Sequence, residues 1–118
     1  MTELALLDVE QRGPVTVARL RGEVDMSNAR MVERRLRDLA QEGPGGLVVE
    51  VTDVGYLDSA WFGALHALVT ALGREGRAVR LVCARAAPVR RLLELSGIEH
   101  LLPLDEGVAE AVAALETR

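Results

Sequence analysis

Asp58 and Ser59 stand side by side near the middle of the chain, and His66 follows seven residues after the serine. A carboxylate, a hydroxyl and an imidazole are the group types of nucleophilic catalysis. Their spacing argues against it. On one helix, Ser59 and His66 would sit two turns apart, roughly 10 Å along the axis, beyond hydrogen-bond reach. No Gly-x-Ser-x-Gly elbow surrounds Ser59. His66 and His100 lack a second Cys or His at ligand spacing, so no metal site is expected. No Walker-type or Gly-x-Gly-x-x-Gly loop is present, so no cofactor is expected either. What remains for Asp58 and Ser59 is the start of a helix. There either residue can be the N-cap, and the free backbone N–H groups suit an oxygen ligand or a phosphate.

The elements that would hold this junction can be read outward from it. Leu47, Val48, Val49 and Val51 form an apolar, β-branched run interrupted once by Glu50, as a central strand would. Asp53 to Leu57 breaks that pattern, contains Gly55 and reads as a loop. Ala60, Ala64, Leu65, Leu68, Val69 and Leu72 then recur at helical spacing, and Gly73 and Gly76 mark the end. Upstream, two short runs around Gly13-Pro14 predict an antiparallel hairpin whose first strand is an edge. Gly22 to Asp25 ends the second strand, and Ser27 and Asn28 offer caps. Ala29, Val32, Leu36 and Leu39 define the buried face of the next helix, with Arg30, Arg34, Arg35 and Arg37 off that face as a solvated surface. Downstream, Ala78 to Cys83 reads as a strand, Pro88 suits a first helical turn and Gly97 a left-handed C-terminal cap. Ile98 to Leu104 holds a short last strand, and Asp105 opens a final helix.

The order is β-β-α-β-α-β-α-β-α. It predicts a single α/β domain over residues 1–118: a mostly parallel sheet of four to five strands, an antiparallel N-terminal edge strand and about four helices. In open α/β sheets, function gathers at the carboxyl ends of the strands. The loops Gly22 to Asn28 and Val54 to Ser59 should therefore lie side by side.

Composition narrows the function further. The chain has 118 residues, enough for one core, a formal net charge of −4, and one each of Trp, Tyr and Phe. That argues against a nucleic-acid surface. Cys83 is the single cysteine, set in an apolar run, and reads as a small buried hydrophobe. Met1-Thr2-Glu3 begins without a basic region or a long apolar run. Ala60 to Leu72 is too short to span a bilayer. A cytoplasmic protein without direct membrane insertion is expected.

Three stretches carry a family resemblance. Asp58-Ser59-Ala60-Trp61-Phe62-Gly63 resembles the Asp-Ser-Ser/Thr-Gly-Leu-Gly signature of STAS domains, the anti-sigma factor antagonist family. Gly22-Glu23-Val24-Asp25 with Asn28-Ala29 is similar to that family's Gly-Glu-Leu-Asp segment. Val89 to Ile98 is similar to its penultimate helix and cap. The resemblance implies a regulatory binding module and no enzyme. A serine kinase, itself the anti-sigma factor, would phosphorylate Ser59, and a serine phosphatase would reverse the step. It implies a partner-binding face of Asp25, Ser27, Asn28, Asp58, Ser59, Ala60, Trp61 and Phe62. The alternative within the same family is an adaptor subunit docking constitutively on an ABC-transporter ATPase or another multiprotein complex. The sequence departs from the signature at Trp61, where the family has Gly, and at Phe62, where it has Leu. Trp61 either packs inward with Leu65, Leu68 and Leu72 or forms an exposed pair with Phe62. Adjacent helical residues diverge by about 100°, so one aromatic is expected to be partly exposed. The first strand's edge and the Trp61-Phe62 patch are the two surfaces through which a weak homodimer could form.

Overall fold

The computed structural model describes residues 5–116. Met1-Thr2-Glu3, on which the expectation of no leader segment rests, lies outside them. The chain opens with an antiparallel hairpin, β1 (Ala5–Arg12) and β2 (Val15–Val24), turning at Gly13 with φ 58°. Then follow α1 (Ala29–Glu42), β3 (Leu47–Glu50), β4 (Val54–Leu57) and α2 (Ser59–Arg74). The rest is β5 (Val79–Val82), α3 (Arg90–Ser96), a 3-10 turn at Ile98–His100, β6 (Leu104–Asp105) and α4 (Val108–Glu116).

The sheet runs β1-β2-β3-β5-β6, with β4 paired to β2 off that path. Every pairing except β1–β2 is parallel. β1 is an edge, as expected, and all four residues of β3 are buried, as befits a central parallel strand. α1, α2 and α3 cover one face of the sheet through Ala18, Leu20, Leu47, Val49 and Leu81. α4 covers part of the other, with Ala111, Val112 and Leu115 against Val15, Val17, Val48 and Val82.

Three expectations are corrected. Residues 54–57 are a strand, β4, rather than a loop, and the described sheet has six strands. The cause is a step in the chain after β3. The buried Glu50 carboxylate accepts the Thr52 backbone N–H at 3.2 Å and the Thr52 hydroxyl, and Thr52 Oγ1 in turn accepts the Ala84 N–H at 3.0 Å. This clamp turns the backbone at the end of β3 and redirects it onto the distal half of β2, where Val24 pairs Leu57. Second, Ile98 to His100 form a 3-10 turn, leaving only Leu104–Asp105 as the last strand. Third, Asp105 lies in that strand instead of opening α4. Its carboxylate takes Arg80 Nε at 2.7 Å and Nη2 at 3.1 Å, a bidentate pair that locks β6 to β5.

Close approach explains Gly45. A Cβ there would meet the Pro14 carbonyl carbon at 2.8 Å and its oxygen closer still. Gly45→Ala is expected to lower unfolding free energy by about 1–3 kcal/mol in urea titrations, because backbone, not a yielding side chain, stands in the way.

Candidate functional site

The pairing Val24↔Leu57 puts the carboxyl ends of β2 and β4 next to each other, so the Asp25–Asn28 and Asp58–Ala60 segments leave the sheet as neighbours. Each segment is held by its own side chains. Asp58 is extended at φ −115°, ψ −174°, and its Oδ1 accepts the N–H of Ala60 at 2.9 Å and of Trp61 at 3.4 Å. Of the two candidate caps, Asp58 is therefore the N-cap, and Ser59 is the first residue of α2. Ser59 is exposed, and among the described residues its hydroxyl has no hydrogen-bond partner.

The neighbouring loop is more tightly tied. Asn28 is buried; its Oδ1 accepts the Asp25 N–H at 3.0 Å, and its Nδ2 donates to the Glu23 carbonyl at 3.0 Å. The Asp25 carbonyl accepts the N–H groups of Asn28 and Ala29 at 3.2 and 2.9 Å. Asp25 Oδ1 accepts both the Ser27 N–H, at 2.8 Å, and the Ser27 hydroxyl. The Ser27 hydroxyl, then its backbone N–H, hold the Asp25 carboxyl below its usual range, with the modest burial of the loop acting the other way. Because the folded value is depressed, the associated stability is present above the ordinary carboxylate range and is lost as pH falls through the folded value.

The aromatic pair divides as the helical angle requires. Trp61 is 0% exposed and packs with Leu65, Leu68 and Leu72, while Phe62 is only partly buried against the same core. The indole N–H of Trp61 finds no acceptor in its buried position. Of the eight expected partner-binding residues, Asn28 fastens the loop and Trp61 belongs to the core. Asp25, Ser27, Asp58, Ser59, Ala60 and Phe62 retain accessible surface. Two large side chains near the junction escape sequence reasoning: Met26, 83% exposed, and Tyr56, 48% exposed. An apolar Met inside the polar run Asp-Met-Ser-Asn was the available signal for the first. Tyr56 was hidden by reading β4 as loop.

Among the described residues, Ser59 and His66 share no hydrogen bond. His66 is exposed on α2 and has no partner among the described residues. Cys83 is buried, and burial pushes its thiol up to about 11, opposed by the nearby Arg90 guanidinium, which makes it a poor nucleophile. Among the described residues no group of His, Cys, Asp or Glu is placed to hold a metal ion. No helix there is long and apolar enough to cross a membrane.

Asp58→Ala is expected to cost about 0.5–2 kcal/mol by denaturant titration, and Asp58→Asn less, since an amide oxygen can still accept the two N–H groups. Trp61→Ala should cost about 3–5 kcal/mol. Trp61→Phe should cost under about 1.5 kcal/mol, because lost area is offset by removal of an unpaired N–H. In an NMR titration Asp25 should ionise below the ordinary carboxylate range, and Ser27→Ala should move it back up.

Comparison with known proteins agrees with this geometry. The chain is similar to an anti-sigma F factor antagonist of Paenibacillus polymyxa, 25% identical over 111 residues that cover 93% of this chain and 94% of that one. Its structure resembles that of an anti-sigma factor antagonist from Mycobacterium paratuberculosis, with a TM-score of 0.81 at 28% identity over 95% of this chain and 94% of the other. It also superposes on the Bacillus cell fate determinant SpoIIAA in its phosphorylated form, with a TM-score of 0.66 at 18% identity over 96% and 100% of the two chains, a likeness of fold. The STAS domain pattern matches residues 7–111, which include the whole junction from Gly22 to Gly63, and the chain belongs to the STAS domain family.

Proposed function

We propose that this protein is an anti-sigma factor antagonist that binds an anti-sigma serine kinase, is released when Ser59 is phosphorylated, and is restored by a serine phosphatase. The supporting observation is the Ser59 hydroxyl: exposed, unpaired among the described residues, and first in α2 directly after its cap. Relatives named as anti-sigma factor antagonists, and a structural neighbour described in a phosphorylated form, agree with it.

The surroundings explain why a phosphate would act as a repulsive signal. It would add about −1.5 to −2 charge. The nearest helix N–H groups, those of Ala60 and Trp61, already bond to Asp58. The new dianion would lie beside one carboxylate and close to the Asp25 loop. The helix N-terminus would offset roughly 0.3–1 kcal/mol of this. The phosphate is then left pointing at the partner, where charge and bulk suffice without refolding. An exposed Trp61-Phe62 pair would have suited the constitutive contact of the adaptor alternative, and Trp61 is in the core.

Incubation with the cognate kinase and ATP should place one phosphate on Ser59, read by mass spectrometry. Ser59→Ala should bind the kinase unmodified, and Ser59→Asp should lose at least about tenfold in affinity by calorimetry. Unmodified Ser59 after incubation with a kinase that binds the protein would overturn the switch, and constitutive co-purification with an ABC ATPase would favour the adaptor.

A further inference from the structure

We infer that the exposed face of α3 is a self-association surface, pairing antiparallel with α3 of a second copy of this chain about a two-fold axis near Leu95. The helix is seven residues long, and Leu93 fixes it to the core. Arg91, Leu92 and Leu95 fall within about 100° of one another around the helix, on a side away from Leu93. All three are exposed, Leu92 to 40% and Leu95 to 71%. Past the left-handed cap at Gly97, Glu99 is exposed in the 3-10 turn.

The charges around these leucines identify a second copy as the occupant. Arg90 is tied to Glu94 at 3.4 Å and to the Cys83 carbonyl at 2.6 Å. Arg91 and Glu99 have no ion pair or hydrogen bond among the described residues. They flank Leu95 evenly, four residues before it and four after it. A two-fold interface is isologous, so a patch that pairs with itself must carry both members of each charge pair. Antiparallel packing sets Leu95 on its own copy. It also brings Arg91, at the start of one α3, to Glu99 at the far end of the other, and does so twice in the dimer. A partner surface of a single sign would satisfy one of these groups and repel the other.

The two surfaces named from the sequence suit a copy less well. Trp61 is buried, so α2 presents no exposed aromatic pair. β1 is an open edge, but a two-fold centred on Asp8, Val9 or Glu10 would set carboxylates directly opposite one another: Asp8 on Asp8, Asp8 on Glu10, or Glu10 on Glu10. One face of so short a helix falls below the roughly 1,200 Å² that a stable interface buries, so the dimer is a weak one. Ser59 lies on α2, so this contact stands or falls separately from the phosphorylation switch.

The test is sedimentation equilibrium of the full chain from about 10 μM to about 1 mM, the range in which so small an interface forms. The wild-type mass should rise with concentration toward that of a dimer. Leu95→Asp should stay monomeric throughout, and Leu95→Ala should weaken the dimer at least about fivefold. Arg91→Glu and Glu99→Arg should each weaken it about three- to tenfold, and the two together should restore it to within about twofold, because the reversed pairs are again complementary. Melting temperatures should not fall in these variants, since all three side chains are exposed. Val9→Lys on β1 and Ser59→Asp should leave the mass curve unchanged. A chain still monomeric at the highest concentration, a dimer that survives Leu95→Asp, or a double variant no tighter than either single one would overturn the proposal. So would loss of the dimer in Val9→Lys, since that names the β1 edge instead.

Discussion

The double use of β2 is the constraint on which the molecule depends. Its first half, Thr16 to Arg19, pairs β3, and its second half, Gly22 to Val24, pairs β4, with a register shift between Gly22 and Glu23. Gly22 sits at φ 97°, a backbone region that L side chains avoid. The chain can make this shift because Glu50 and Thr52 turn it at the end of β3. Without that turn, β3 would continue in line, Leu57 would not reach Val24, and Asp58 would open α2 away from Asp25. The family signature motifs are distant in sequence and meet because one strand serves two partners in succession.

Around that meeting point, rigidity and exposure fall to different residues. Asn28 makes two backbone hydrogen bonds from a buried position, and Asp25 and Ser27 bond mainly to each other. Asp58 uses its carboxylate on its own helix. Trp61 anchors the first turn of α2 in the core. Ser59 is left with the fewest obligations of any polar side chain at the junction. A group attached there would add charge and bulk without breaking any hydrogen bond, which is what a reversible surface mark requires.

Much of this was legible in the sequence, for identifiable reasons. Long periodic patterns gave α1 and α2, and a β-branched apolar run broken only by Glu50 gave β3. The Gly22–Asn28 and Asp58–Ser59 ends were placed together by the rule for parallel sheets, and they are together. β4 was not legible, because Val54-Gly55-Tyr56-Leu57 buries only its two outer residues and contains a glycine. Asp105 was misplaced because an acidic residue before an apolar stripe looks like a cap, and its partner Arg80 lies 25 residues away. Spacing could show that Trp61 and Phe62 must diverge, but not which of them points inward. That depended on tertiary packing, which places Trp61 in one core cluster with Leu65, Leu68 and Leu72 and leaves Phe62 packed against its edge.

The burial of the one tryptophan has a practical consequence. Its indole sits in an apolar setting, with its nitrogen unpaired, in the first turn of α2 and two residues from Ser59. No other indole in the chain dilutes its emission. The protein thus carries a built-in optical gauge at the place where partners are expected to meet it. Wavelength and quenching of that single fluorophore would distinguish an event that merely recharges the surface from one that pries the helix off the sheet.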